Sequence, residues 1–154
     1  MTETLFYHLE RRGLDDALPG LIERTLERGW RAVIKTESAE RADAIDTLLW
    51  TYNEQTFVPH SQRGDGKPER QPVLITVEDG IPNAANILFI VGGAEPPAWD
   101  SAVAKALTRI VLMFDGRDPE MLDKARAAWK HAKDAGHDVT YWKESPSGKF
   151  EKQG

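Results

Sequence analysis

Two aspartates that follow the most apolar stretch of the chain have the residue types that catalysis could use. Asp115 comes directly after Ile110–Phe114, and Asp118 follows three residues later. Carboxylates in such a place can hold a divalent metal for phosphoryl transfer, but their spacing differs from the Asp-X-Asp arrangement that reaches one magnesium ion. Asp118 also precedes Pro119, a pattern typical of a helix N-cap followed by proline in the first turn. The sequence therefore favours a cap, and a small metal-dependent phosphoryl-transfer enzyme that uses the Asp115/Asp118 turn is the alternative hypothesis.

Other signals of catalysis or cofactor binding are weak in this chain. None of the four histidines is spaced four residues from another, as two metal ligands on one helix face would be. The chain has no cysteine, which excludes thiol catalysis and zinc–thiolate sites. Gly92-Gly93 is the only candidate for a phosphate loop, and it lacks the further glycine of a dinucleotide fingerprint. We expect no catalytic residue, no cofactor and no metal.

A helix predicted from Pro119 to about Ala135 carries the more informative pattern. At 100° per residue, one face collects small and apolar residues and is expected to be buried. A second stripe mixes apolar and basic side chains, with Lys130 at its border. The predicted buried face consists of Met121, Ala125, Ala128 and Ala132, and the second stripe of Leu122, Arg126, Trp129 and Lys133.

The second stripe has the chemistry of a receptor for an acidic peptide. Arginine grips a carboxylate in a planar fork, and an apolar plate beside it accepts an apolar side chain. No acid lies between residues 124 and 133 to neutralise the cations. Two structural interpretations remain open, because late basic residues also complement a helix dipole and Trp129 could belong to the core.

The elements that position this helix alternate between strand and helix patterns. Apolar runs predict strands, and helical periodicity separates them, as in a parallel sheet that is covered on both faces. We predict a single α/β domain over residues 1–143, with a mainly parallel twisted sheet and helices on both faces, Rossmann-like but without a nucleotide site. Residues 144–154 are expected to form a flexible polar tail, and residues 51–72 a long surface loop. The predicted strands are Thr4–Leu9, Ala32–Ile34, Val73–Val77, Asn86–Val91, Ile110–Phe114 and Val139–Trp142.

Composition narrows the choice of partners. The 154 residues carry a formal net charge of −5, so the chain as a whole repels a polyanion, and nucleic acid is expected only as an indirect partner. The N-terminus lacks the pattern of a signal peptide, and no apolar run approaches the ~20 residues of a membrane span. We expect a soluble, cytoplasmic protein that does not contact a membrane.

Four segments of the sequence together resemble a known family. They are Leu48-Leu49-Trp50 followed by Phe57-Val58-Pro59-His60, then Phe114-Asp115-Gly116-Arg117-Asp118, Arg126…Trp129-Lys130, and Ala135-Gly136-His137…Tyr141-Trp142. In order and spacing they are similar to the chi subunit of bacterial DNA polymerase III. The resemblance extends from the first strand to about Trp142.

This resemblance implies a non-catalytic accessory subunit of the clamp-loader complex. Such a subunit links the loader to single-stranded DNA-binding protein by gripping that protein's acidic C-terminal tail, which ends in an apolar residue. The resemblance also implies a second partner, the psi subunit or another clamp-loader subunit. Carried over by position, the tail site comprises Arg126, Trp129, Lys130 and Lys133 from the helix, with Phe57 and Trp50 from the loop region. Leu122 stands where a lysine can occur in the family, and Lys124 is a possible replacement.

Overall fold

The computed structural model describes residues 2–10, 13–52, 60–62, 71–147 and 149–153, which form eight strands and four helices. The strands are β1 (Glu3–Leu9), β2 (Ala32–Lys35), β3 (Ser61–Gln62), β4 (Val73–Thr76), β5 (Ile87–Ile90), β6 (Arg109–Asp115), β7 (Asp138–Glu144) and β8 (Phe150–Gln153). The helices are α1 (Leu14–Glu27), α2 (Ala39–Thr51), α3 (Ala102–Ala106) and α4 (Pro119–Asp134).

The strands form one sheet in the order β3-β4-β2-β5-β6-β1-β7-β8. Every neighbouring pair is parallel except β7 with β8. β1 lies between β6 and β7, with Phe6 opposite Leu112 on one side and Tyr141 on the other. The prediction of an α/β domain with a mainly parallel sheet is confirmed.

Side-chain alternation along the strands divides the core between the two faces of the sheet. On one face, Leu5, Ile34 and Met113 pack with the apolar sides of α1 and α2. On the other face, Phe6, Val33 and Leu112 pack with α3 and α4. The helices thus cover both faces, and α2 and α4 lie on opposite sides of the sheet.

Polar residues at the helix ends act as the sequence predicts. The Ser38 hydroxyl accepts a hydrogen bond from the Arg41 amide at the start of α2. The Asp118 carboxylate accepts one from the Glu120 amide at the start of α4, with Pro119 in the first turn. Gly29, after α1, has a φ of 77°, a left-handed conformation that suits glycine at a helix end. The cap interpretation of Asp118 is therefore confirmed.

Buried His137 fixes the end of α4 to the rest of the fold. Its Nε2 lies 2.6 Å from the Trp99 carbonyl oxygen and its Nδ1 lies 3.2 Å from the Thr4 hydroxyl. A carbonyl can only accept, so Nε2 carries the proton and Nδ1 accepts from Thr4. The ring thus joins β1, the loop before α3 and the turn before β7 behind the helix.

Two segments differ from the sequence expectations. Residues 150–153, expected within a flexible tail, form β8 and pair antiparallel with β7, where the Phe150 ring stacks on Tyr7 with centroids 4.7 Å apart. The flexibility of residues 144–154 in solution stays a prediction. Within the expected loop 51–72, residues 61–62 form β3, while 53–59 and 63–70 lie outside the described residues.

Candidate functional site

Helix α4 presents the two faces that its periodicity predicts. Ala125, Ala128 and Ala132 are buried against the sheet, and Met121 is partly buried beside them. Small side chains on this face let the helix approach β6 and β1 closely. The neighbouring stripe lies on the side of α4 toward β7, since Trp129 contacts Tyr141 there.

The basic side chains of the stripe are open to solvent. The Arg126 side chain is 71% exposed, and the nearest acid is Asp123, whose Oδ1 lies 4.0 Å from Nη1. Lys130 and Lys133 are exposed as well, and neither forms an ion pair with another residue in the described part of the chain. Since exposed pairs at such distances contribute little, the three cations remain available to an anionic partner.

Aromatic side chains form a floor beside these cations. Trp129 is partly buried, with its ring edge-on to Phe6 and Tyr141 at centroid distances of 5.5 and 5.8 Å. The interpretation that Trp129 belongs to the core therefore holds for the buried part of its side chain. Leu122 is also partly buried in the same cluster. The floor is packed into the core, while the cations beside it are exposed to solvent.

Tyr141 and His8 belong to this floor although sequence reasoning did not select them as site residues. The Tyr141 hydroxyl is hydrogen-bonded to His8 Nδ1, and Arg126 is close enough to favour the ionised hydroxyl. Burial dominates and raises the pKa of Tyr141, so the hydroxyl stays protonated. The signal that could have found them is alternation, because Phe6 and His8 point to the same face of β1 and Tyr141 pairs in register with Phe6.

His8 is held tightly in place from the other side. A Cβ at position 116 would come within 1.8 Å of its Nε2, so this packing requires Gly116. Burial lowers the pKa of His8, although the Glu10 carboxylate, 3.2 Å from Nε2, opposes that shift. The imidazole is thus favoured in its neutral form beneath Tyr141.

The aspartates considered for catalysis have structural partners. The Asp115 carboxylate accepts hydrogen bonds from the backbone and side chain of Arg117 at 3.0 Å, and these bonds lower the pKa of Asp115. Asp118 caps α4. Within the described ranges, no group of three or more histidine, aspartate or glutamate side chains is arranged to hold a metal ion.

Lys124 lies on the other flank of α4, away from the stripe. It borders a cavity of about 420 Å³ between the helix and residues 93–99, with Trp99 and Phe114 in its wall. The structure therefore separates Lys124 from Arg126 and Lys133, and the position occupied by Leu122 contributes an apolar contact to the stripe instead of a charge.

The two remaining predicted site residues are not on α4. Trp50 lies near the end of α2, on the opposite face of the sheet, with 53% of its surface exposed. Its ring is 4.7 Å from the ring of His60, whose Nε2 lies 3.1 Å from Asp46 Oδ1. Phe57 lies outside the described residues. The structure brings together Arg126, Trp129, Lys130 and Lys133, and places Trp50 on a different surface.

Comparison with known proteins identifies the family. The family model described as "DNA polymerase III chi subunit, HolC" matches residues 1–140. The chain belongs to the DNA polymerase III chi subunit family. A relative from Rickettsia prowazekii (strain Madrid E), "Probable DNA polymerase III subunit chi", is 32% identical over 91 residues, which is 59% of this chain and 55% of the relative. The match thus spans about half the length of that relative.

Membership in the chi subunit family confirms the resemblance seen in the sequence. Among the described helices, none combines the length and apolar character needed to cross a bilayer.

Proposed function

We propose that this chi-family protein is a non-catalytic accessory subunit that binds the acidic C-terminal tail of single-stranded DNA-binding protein through α4. The observation that carries the proposal is the exposed stripe of Arg126, Lys130 and Lys133 beside the partly buried ring of Trp129. Through this contact the protein links single-stranded DNA-binding protein to the clamp loader, where the psi subunit or another loader subunit holds it.

Electrostatics supports an acidic partner for this stripe. The protein carries a net charge of −5, yet these three cations are not neutralised by close carboxylates on α4. Arg126 can grip a carboxylate with two parallel hydrogen bonds, and the lysines can follow the next acidic groups as point charges. DNA is then reached only through the partner protein.

The floor of the groove supports an apolar residue next to the carboxylate. The ring of Trp129 is held edge-on to the rings of both Tyr141 and Phe6, so Trp129 and Tyr141 present a preorganised plate. Burying an apolar side chain against such a plate contributes about 25 cal/mol per Å² of area removed from water. A terminal carboxylate and an apolar last residue together match the groove.

The proposed tail site keeps Trp50 and Phe57 as predicted outer contacts. Trp50 is exposed on α2, so a tail bound along α4 reaches it only by continuing around the edge of the sheet. The α4 residues therefore form the primary site.

Titration calorimetry with a short acidic peptide that ends in an apolar residue tests the proposal. We expect micromolar binding to the full chain, and a weakening of at least about tenfold in Arg126→Ala, since a charge-assisted bidentate contact contributes roughly 1.5–3 kcal/mol. Arg117→Ala is the matched control, because that arginine is paired with Asp115.

Two results would contradict the proposal. One is the absence of measurable heat at a peptide concentration of about 1 mM, which corresponds to binding weaker than about −4.1 kcal/mol. The other is equal peptide affinity in Arg126→Ala and the native protein. A circular dichroism spectrum of each variant establishes that the comparison is between folded chains.

A further inference from the structure

A second basic cluster lies on the other side of the molecule, between α1 and the N-terminal ends of β5 and β6. Arg24 and Arg28 are one turn apart on or just after α1, and Arg109 begins β6. All three line a cavity of about 80 Å³, together with Tyr7 and Thr25. The described lining of this cavity contains no acidic residue, on a protein whose net charge is negative.

Trp30 holds two of the three guanidinium groups in position. The Cζ atoms of Arg28 and Arg109 lie 5.3 and 5.2 Å from the centroid of its ring. Cation–π contacts at this distance stabilise each cation without consuming its N–H donors. Both guanidiniums are thus held against the same ring despite their like charge.

Among the described carboxylates, Glu3 is the one within ion-pair distance of an arginine of this cluster. Its Oε1 lies 3.0 Å from Arg109 Nε, but the N–H direction misses it, so this buried Nε has no hydrogen-bond partner among the described residues. Three guanidiniums and one carboxylate leave a local charge of about +2. Arg109 is therefore partly neutralised but not satisfied as a donor.

The Tyr7 hydroxyl adds a neutral donor to the same cavity. Burial raises its pKa, and the charges of Arg109, Arg24 and Arg28 oppose that shift, which places all three arginines within electrostatic range of the hydroxyl. No hydrogen bond joins this hydroxyl to another residue in the part of the chain that the structure describes. Tyr7 and the three arginines thus line a single cavity.

The dipole of α1 explains only part of this arrangement. Basic residues near a helix C-terminus complement the partial negative charge there, and this accounts for Arg24 and Arg28. It does not account for Arg109, which comes from a strand, or for the ring of Trp30 between two guanidiniums. The convergence of cations from separate elements is what a binding pocket for a compact anion requires.

We propose that this cavity is a binding site for a phosphate monoester, with Arg24, Arg28, Arg109 and the Tyr7 hydroxyl as donors. A phosphate monoester carries a charge of about −1.5 to −2 and three acceptor oxygens, which match the local charge and the number of guanidiniums. A cavity needs about 10–15 Å³ to hold one water, so 80 Å³ admits a group of phosphate size. This site is separate from the α4 stripe and does not depend on tail binding.

Titration of the full chain with inorganic phosphate, followed through the arginine Nε–Hε signals in ¹H–¹⁵N spectra, tests the site. We expect the signals of all three pocket arginines to shift together and saturate. Arg24→Gln should weaken phosphate binding by about tenfold, since it removes one charge-assisted donor. Arg41→Gln is the matched control, because Arg41 is an exposed arginine on α2 that is paired with Glu37.

The Glu3→Gln variant should have a higher phosphate affinity, and a folding defect would not produce such a gain. Removing this carboxylate raises the local positive charge, so phosphate should bind about threefold more tightly, as expected for a nearby like charge in partly exposed surroundings. The proposal would be overturned if phosphate did not shift the arginine signals. Equal losses of phosphate affinity in Arg24→Gln and Arg41→Gln would also overturn it.

Two short single-stranded oligonucleotides, with and without a 5′ phosphate, identify the type of phosphate. We expect only the 5′-phosphorylated strand to shift the pocket arginines. Equal shifts with both strands would overturn the assignment to a monoester, because the ligand would then be the phosphodiester backbone.

Discussion

The two basic regions of this acidic protein differ in how their cations are held. On α4, Arg126, Lys130 and Lys133 are exposed to solvent on one helix, beside an aromatic floor that is packed into the core. In the pocket beside α1, arginines from separate elements converge on one cavity, and Trp30 holds two of them in place.

This difference indicates which anion each region suits. A line of flexible cations can follow successive charges of an extended chain, and an apolar floor adds side-chain contacts along it. Converging guanidiniums with fixed spacing instead match a compact group with several oxygens. The same residue type therefore supports two kinds of recognition, and the surrounding elements decide which.

Measuring both ligands on a variant of each region is the most direct test of this difference. We expect Arg126→Gln to weaken the acidic peptide by about tenfold and leave phosphate unchanged, and Arg24→Gln to do the reverse, because each removes one charge-assisted contact. Calorimetry with the peptide and ¹H–¹⁵N titration with phosphate measure the four affinities. A similar loss of both ligands in either variant would mean that the two regions act as one diffuse basic surface.

Salt should affect the peptide more than the phosphate. The α4 cations are exposed, and screening lengths shorten from about 10 Å at 0.1 M to about 3 Å at 1 M salt. We expect the dissociation constant of the peptide to rise several-fold between these salt concentrations, and the rise to shrink in a Lys130→Ala, Lys133→Ala double variant. A salt-independent peptide affinity would show that the apolar floor alone carries binding.

Sequence reasoning recovered the parts of this arrangement that depend on local pattern. The buried alanine face of α4 and the cap at Asp118 follow from helical periodicity and from the residues at one helix end. Both are decided within a few residues of chain, and the structure agrees with each. The alternation of strands and helices similarly predicted the parallel sheet.

Contacts between distant segments were harder to predict. Tyr141 joins the floor of the α4 groove because β1 and β7 pair in parallel register, and His8 meets it across 133 residues. The arginine pocket likewise combines α1 with β6 and depends on their packing. A single sequence shows that these residues exist but does not show which of them meet.

Tyr141→Phe tests the role of the aromatic floor beneath the α4 stripe. The substitution keeps the ring that faces Trp129 and removes only the hydroxyl that is bonded to His8. We expect peptide affinity to fall by about two- to threefold, as for loss of one neutral hydrogen bond that holds a ring in place, with phosphate binding unchanged. Tyr7→Phe, which removes the hydroxyl beside the arginine pocket, should show the opposite selectivity.

Acid should act on the α4 region through His8. Its pKa in the folded protein is lowered by burial, so below the ordinary value of about 6.5 the unfolded chain binds the proton first. The contribution of the neutral ring to stability is then complete above that value and is lost as the pH falls from it toward the lowered pKa. Urea unfolding at pH 7.5 and 5.5 should show a smaller pH effect in His8→Asn than in the native protein, while exposed His131→Asn serves as the control.

Trp50→Ala tests whether the peptide site extends beyond α4. Trp50 lies on the face of the sheet opposite α4, and an extended peptide of six residues spans only about 20 Å. We therefore expect this variant to weaken a six-residue peptide by about twofold or less, compared with tenfold for Arg126→Gln. A longer tail that loses more affinity than the short peptide would place Trp50 at the far end of one continuous site. If the short peptide already depends strongly on Trp50, the primary contact is on α2. The region to compare with the arginine pocket is then α2 and not the α4 stripe.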